Sequence, residues 1–377
     1  MAKTRAIFEE VEAKAPEPPK GGGIDGRGKG ARRGIRAWLV GIFLLIVVMI
    51  AVGGLTRLTD SGLSITEWKP VTGAIPPLNE ADWAVEFAKY QASPQYLLMN
   101  SQMTLEAFKG IFWWEWGHRL LGRVIGSVWF LGYLWFALRG RVPSGWHPRL
   151  VGLGALIGLQ GAVGWWMVSS GLVGRMVDVA SYRLAIHLGL AFVILGLTTW
   201  YVLRLGQTSV DLLQARRQRI GGLMRLTLWL AGLVFVQVLL GALVAGIDAG
   251  RGFPTWPLMA GQLMPSESFD YTPLWTNFFE NPALVQFNHR MFGYFVFVIG
   301  LIIWWAARES ALSALRQRYN AVAAALLLQV VLGIVTVIYA APVSWAIAHQ
   351  VGAVLLFVLT LRAAFAAAYP ARQSLRS

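Results

Sequence analysis

Eight runs of predominantly apolar residues, each near 20 residues long, set the terms for this chain of 377 residues; they lie near 37–55, 117–137, 150–169, 184–203, 223–246, 287–306, 320–340 and 344–368. A helix of about 20 residues crosses the roughly 30 Å hydrocarbon layer of a bilayer, and inside that layer backbone groups must find their partners within the segment. Each run therefore predicts one spanning helix. With 56% apolar and only 14% charged residues, the whole chain reads as an all-α polytopic membrane protein rather than a soluble one.

Cations resist translocation and stay cytoplasmic. The segment up to Arg36 and the alternate loops 138–149, 204–222, 307–319 and 369–377 hold 21 Lys and Arg residues, against seven in the other loops. This asymmetry predicts that both termini are cytoplasmic. The net charge of +14 is then a matter of topology and contact with anionic lipid, not of nucleic-acid binding. Residues 1–35, rich in Pro, Gly and basic side chains, are expected to form a disordered tail. No apolar stretch precedes a cleavage site in them, so the first run is expected to be a retained span. The chain has no cysteine, which excludes iron–sulfur clusters on thiolates, thiolate-ligated heme and covalent heme attachment.

The chain repeats itself. Residues 52–77 align without gaps on 240–265, matching Gly53 with Gly241, Asp60 with Asp248, Trp68 with Trp256 and Pro77 with Pro265. Further on, Glu115, His118 and Arg119 face Gln286, His289 and Arg290, Gln160 faces Gln329, and His187 faces His349. Four spans per half is an even number, so the halves share one orientation and a pseudo-twofold axis along the membrane normal. The expected architecture is two four-helix bundles, residues 36–204 and 223–369, joined by a cytoplasmic linker 205–222 and followed by a tail 370–377.

Four of the five histidines thus recur as two matched pairs, all near the outer ends of their spans. From His118, His187 and His289 to the next cytoplasmic-side arginine there are 21, 17 and 19 residues, roughly 32, 26 and 29 Å of helix. The count from His349 to Arg362 is shorter, 13. One histidine in a membrane helix can simply bond to a neighbouring helix; four at matched positions of the repeat point to metal. Zinc prefers four tetrahedral ligands, whereas two histidines per half without cysteine suit bis-histidine heme iron. His147, in a cytoplasmic loop, has no repeat partner and stays outside the site.

The halves differ where chemistry is expected. Glu115 lies three residues before His118 on the same helical face, and its counterpart is Gln286. A carboxylate beside a heme can move protons and stabilise positive charge; the rival reading is that Glu115 pairs with Arg119 and steadies the helix start. Arg57, Arg119, Arg183, Arg251 and Arg290 are candidates to grip porphyrin propionates, with interface anchoring as the alternative. Gln160 and Gln329 are expected to make interhelical hydrogen bonds, and Asp60 and Asp248 to shape turns. The first outer loop, 56–116, is longer than its counterpart, 247–286. Within it, 79–90 and 105–116 are expected to be interfacial amphipathic helices covering the first half.

These residues resemble the heme A synthase family over nearly the whole chain after the tail. The resemblance rests on the run 53–64, on Trp68-Lys69-Pro70, on Glu115 to Arg119, on Tyr182-Arg183 before His187, on Asn288-His289-Arg290 and on His349-Gln350. It implies oxidation of a methyl group of heme O to the formyl group of heme A by successive hydroxylations. His118 and His187 would hold the substrate heme, with Glu115 acting at the reacting side, and His289 and His349 would ligate a resident heme b. It also implies a bacterial inner membrane, heme O synthase and cytochrome oxidase assembly factors as partners, and an electron-transfer partner. Many bacterial members carry cysteine pairs in their outer loops; this chain resembles the cysteine-free alphaproteobacterial and mitochondrial branch. Acidic residues Glu9, Glu10, Glu12 and Glu17 argue against a mitochondrial transit peptide. Two other functions stay open from the residues alone: a diheme b-type electron carrier, and a porphyrin transporter.

Overall fold

The computed structural model describes residues 24–370. In chain order its α-helices are α1 (Ile24–Leu58), α2 (Glu80–Gln91), α3 (Pro94–Leu98), α4 (Leu105–Leu138), α5 (His147–Ser170), α6 (Ser181–Leu205), α7 (Ser209–Arg217), α8 (Gly221–Gly246), α9 (Ala249–Gly252), α10 (Asn277–Glu280), α11 (Pro282–Arg308), α12 (Ser313–Ile338) and α13 (Val343–Ala368). Among the described residues eight helices, α1, α4, α5, α6, α8, α11, α12 and α13, are long and apolar enough to cross a membrane. The fold is all-α and multi-pass, as the apolar runs predict.

Two expected boundaries move. Residues 24–35, assigned to the tail, begin α1 instead, and Arg32 among them, with Arg36 beyond, has a structural use. Arg32 Nη2 donates to the carbonyls of Arg204 (3.0 Å) and Gln207 (2.6 Å), and Arg36 Nε to that of Val202 (3.2 Å). Basic side chains thus satisfy the open carbonyls at the C-terminal end of α6. Residues 1–23 and 371–377, the rest of the two expected tails, lie outside the described residues. The second correction concerns 105–116, which is no separate interfacial helix but the outer part of α4. Thr104 caps it by accepting from the Ala107 N–H, and no proline interrupts the 34 residues that follow. At 1.5 Å per residue α4 is about 51 Å long, so it rises well beyond the hydrocarbon. On that extension Phe108 and Phe112, one turn apart, pack against Trp83 and Tyr90 of α2 and close a buried aromatic cluster.

Each set of four spans packs as a closed ring: α1 against α4 and α6, and α5 against α4 and α6; then α8 against α11 and α13, and α12 against α11 and α13. The two sets meet through α1, α6, α8 and α13. The core lies along this junction. Ile35, Leu39, Ile42, Ile46 and Ile50 form one buried stripe of α1, spaced as a helix face, and join Phe192, Leu230, Val234, Phe357 and Leu361 in one cluster. Hydrophobicity alone does not hold helices together in lipid, so small residues and interhelical hydrogen bonds matter. A Cβ on Gly246 of α8 would stand 2.8 Å from Ser181 Cα of α6, and Thr227 of α8 bonds Tyr319 of α12 at 2.6 Å.

Candidate functional site

Four ring-packed helices place the second and fourth opposite each other across a central space. His118 and His187 sit on α4 and α6, His289 and His349 on α11 and α13. All four side chains are half-buried. Each leans on a glycine of an adjacent helix: His118 on Gly53, His187 on Gly164, His289 on Gly241 and His349 on Gly333, where an added Cβ would meet the imidazole at 3.2, 2.9, 3.0 and 3.0 Å. Only the absence of a side chain lets the ring stand between the helices.

The ring centres of His289 and His349 are 6.3 Å apart, with their planes at 85°. Imidazoles binding one metal ion from opposite sides, with bonds of about 2 Å, place their ring centres roughly 6 Å apart. The second-half pair therefore fits a single ion between two rings. His349 Nδ1 is buried with no hydrogen-bond partner among the described residues, which leaves imidazole nitrogen available to such a group. In the first half His118 and His187 are close enough to interact electrostatically. Among the described residues no three or more His, Cys, Asp or Glu groups converge as a metal site, so the histidines stand as pairs and a tetrahedral zinc centre finds no ligand set.

Glu115 is buried, its side chain only 2% exposed, and its oxygens are occupied. Oε2 accepts from Ser64 Oγ and from the Ile65 N–H, each at 2.7 Å, and Oε1 accepts from Arg119 Nη2 at 2.5 Å. Arg119 also donates to the carbonyls of Ile65 (2.6 Å) and Glu67 (2.8 Å). In the second half Arg290 donates in the same manner to Phe253 (2.8 Å) and Thr255 (2.8 Å). Both arginines thus pin the stretch that follows the first turn after α1 or α8. At that turn Asp60 and Asp248 each adopt a left-handed backbone, φ 51° and 52°, the conformation Asp tolerates better than most side chains. The pairing of Glu115 with Arg119 that the sequence left open is present, and the acid reaches further, into the loop.

The other arginines are placed differently. Arg57 donates to Asp60 (2.8 Å) and Asp248 (2.9 Å), with Asp178 at 3.6 Å, so it ties the outer ends of both halves together. Arg183 donates to the Trp166 carbonyl at 2.7 Å and lies 4.5 Å from the centre of that residue's ring. Arg251 is half-exposed, with Asp248 at 3.8 Å.

Sequence reasoning missed one residue. Gln160 and Gln329 do bridge helices, their amides donating to the carbonyls of His187 (3.0 Å) and His349 (2.8 Å). Gln237 makes the same bond to His289 at 2.9 Å. Each of these glutamines stands four residues before the glycine that meets the same histidine, a spacing that carries meaning only once the helices have packed.

The profile of the cytochrome oxidase assembly protein family matches residues 36–361. The chain is 58% identical to a heme A synthase of Dinoroseobacter shibae over 379 aligned positions, covering 100% of this chain and 99% of the relative. Identity is 57% to a heme A synthase of Ruegeria pomeroyi, covering 100% of both, and 56% to one of Paracoccus denitrificans, covering 99% and 98%. Kinship of this extent spans both histidine pairs, the acid on α4 and the pinned loops, and the chain belongs to the heme A synthase family of cytochrome oxidase assembly proteins.

Proposed function

We propose that the protein is a heme A synthase, a membrane oxidoreductase that converts a methyl group of heme O to the formyl group of heme A. The opposed imidazoles of His289 and His349, 6.3 Å apart and perpendicular, carry this reading, in a chain that matches heme A synthases from end to end. His118 and His187 would hold the substrate heme, and His289 and His349 a resident heme b. When bound, heme b supplies one-electron redox chemistry.

The chain's own residues do the rest. The glycine-backed histidines orient each macrocycle, and the helix walls exclude water from it. Glu115, one turn from His118, is the acid at the reacting side: a methyl group hydroxylated twice becomes a formyl group by losing one water, and a carboxylate can pass the protons that this loss requires, which the amide of Gln286 cannot. The donors from Ser64, Ile65 and Arg119 hold that carboxylate in place. Arg251, the least engaged of the five arginines, is the best placed to reach a propionate. The distribution of cations supports cytoplasmic termini in a bacterial inner membrane. Heme O synthase, cytochrome oxidase assembly factors and an electron-transfer protein are the partners this role requires.

The test is extraction of pigments from the full-length protein purified from cells that make heme O, with identification by mass. Heme b together with heme O or heme A is the expected content. Two equivalent hemes b would identify an electron carrier, and no heme a transporter; either result overturns the proposal.

A further inference from the structure

Four helices carry a glycine against which a histidine packs, and the residue one turn earlier differs in only one of them. On α5, α8 and α12 the sequence is Gln-x-x-x-Gly, at Gln160/Gly164, Gln237/Gly241 and Gln329/Gly333; on α1 it is Met49/Gly53. Residues four apart on a helix lie on one face, so each glutamine is aimed where its glycine is aimed. The amides touch more than the histidine backbone. Gln160 Nε2 is 3.2 Å from His187 Nδ1, and Gln237 Nε2 is 3.1 Å from His289 Nδ1. In these two cases one amide holds both the carbonyl and the ring of the same histidine, whereas Gln329 holds His349 through its carbonyl alone, at 2.8 Å.

Met49 occupies the same space without a donor. A Cβ on Gly122, one turn beyond His118, would stand 3.4 Å from Met49 Cε, just as a Cβ on Gly293, one turn beyond His289, would stand 3.0 Å from Gln237 Nε2. The His118 ring also sits differently. At Gly164, Gly241 and Gly333 the nearest imidazole atom is Cε1, followed by Nδ1, whereas at Gly53 it is Nε2, followed by Cδ2. The unclamped histidine is the one whose ring is turned.

We propose that Gln160, Gln237 and Gln329 are positioning residues that hold His187, His289 and His349 as permanent iron ligands, and that Met49, in the fourth equivalent place, leaves His118 as the one ligand able to release iron. The inference rests on the heme reading above. It gives the two halves distinct duties at a second position besides Glu115 and Gln286: in the second half an amide holds each histidine, His289 by ring and carbonyl and His349 by its carbonyl, as suits a resident cofactor. The first is clamped from one side only, and the loose side is the one that carries Glu115. Release of His118 breaks one iron–nitrogen bond and changes no oxidation state, opening a coordination position beside the acid.

The experiment uses the full-length holoprotein, purified with heme in both halves, reduced with dithionite and exposed to carbon monoxide, which binds only where an axial ligand leaves. In the unaltered protein one of two hemes takes up the gas. Met49→Gln, whose amide fits beside Gly122, slows that uptake about tenfold, the worth of one added hydrogen bond. Met49→Leu, of similar volume but without a donor, leaves it unchanged. Gln237→Met makes the second-half heme reactive and shifts its low-spin electron paramagnetic resonance signal. Equal carbon monoxide uptake in all four proteins, with heme present in both halves, overturns the clamp while leaving the heme reading intact. Purified protein without heme overturns both.

Discussion

At the scale of single residues, the two histidine pairs differ in the group one turn before the first histidine, Glu115 in one half and Gln286 in the other. Glu115→Gln keeps the shape of the side chain and copies the second half, where Gln286 stands. Loss of a positioned acid costs about 10²- to 10⁴-fold in rate, so heme A formation is expected to vanish while the protein still folds and keeps heme b. Extracted heme from cells carrying the variant reports this, and undiminished heme A removes Glu115 from the chemistry. The glycines behind the histidines make a paired prediction. Gly164→Ala places a methyl group 2.9 Å from the His187 ring, and Gly333→Ala one 3.0 Å from the His349 ring. Overpacking of this kind costs about 1–3 kcal/mol. The first variant is expected to lose the substrate heme and the second heme b, read as heme content per protein; loss of the same heme in both would mean that the halves do not work separately. The histidines and Glu115 were legible as a matched set in the sequence. Gln237 was not, because its repeat partner is Met49, and a glutamine is noticed when its counterpart is also one.

At the scale of elements, the outer cover of the first half is held by an aromatic cluster and by charge. Glu67 accepts from Lys69 and Lys89, with Glu86 beside both lysines. The hydrogen bonds from Lys69, and then from Lys89, hold the Glu67 carboxyl down at about 2, below its ordinary 4.5. A depressed carboxylate contributes stability that is complete above the ordinary value and is lost as pH falls through the lowered one. The tie between α2 and the 64–69 stretch is therefore expected to be intact at pH 6 and to weaken from about 4.5 down towards 2. Hydrogen exchange of residues 60–104 in detergent at pH 6 and pH 3 measures it, after correction for intrinsic exchange. Equal protection at the two values would assign the cover to Trp83, Tyr90, Phe108 and Phe112 alone. Sequence placed α2 well, since Asn79 is a strong helix cap and accepts from the Asp82 N–H at 2.9 Å. It divided α4 wrongly, because hydropathy reports where lipid begins, and a helix that leaves lipid to pack on its own loop gives no such mark.

At the scale of the whole molecule, orientation is open to a direct test. The chain has no cysteine, so one can be introduced at a chosen place without background. On the arrangement that the cations favour, Glu80→Cys on α2 is expected to react in whole cells with a maleimide that cannot cross the inner membrane. Glu309→Cys, between α11 and α12, is expected to react only after the cells are opened. The reverse pattern inverts the topology. The join between the halves has its own fastening at the C-terminal end of α1, where Arg57 holds Asp60 from one half and Asp248 from the other. Its counterpart in the repeat is Ala245, so one guanidinium serves both halves. That explains why a residue that looked available to a propionate is committed to carboxylates.

Hydropathy was enough to determine the eight spans, because it is a property of spacing along one dimension, and the repeat along that same dimension singled out two halves and four histidines as candidates. Which helices lie opposite each other, that a glycine backs every imidazole, that Glu115 reaches the loop after α1, and that one histidine lacks an amide partner were decided only by packing. Those contacts join residues dozens to hundreds of positions apart, and side chains so distant meet only after the helices have chosen their neighbours.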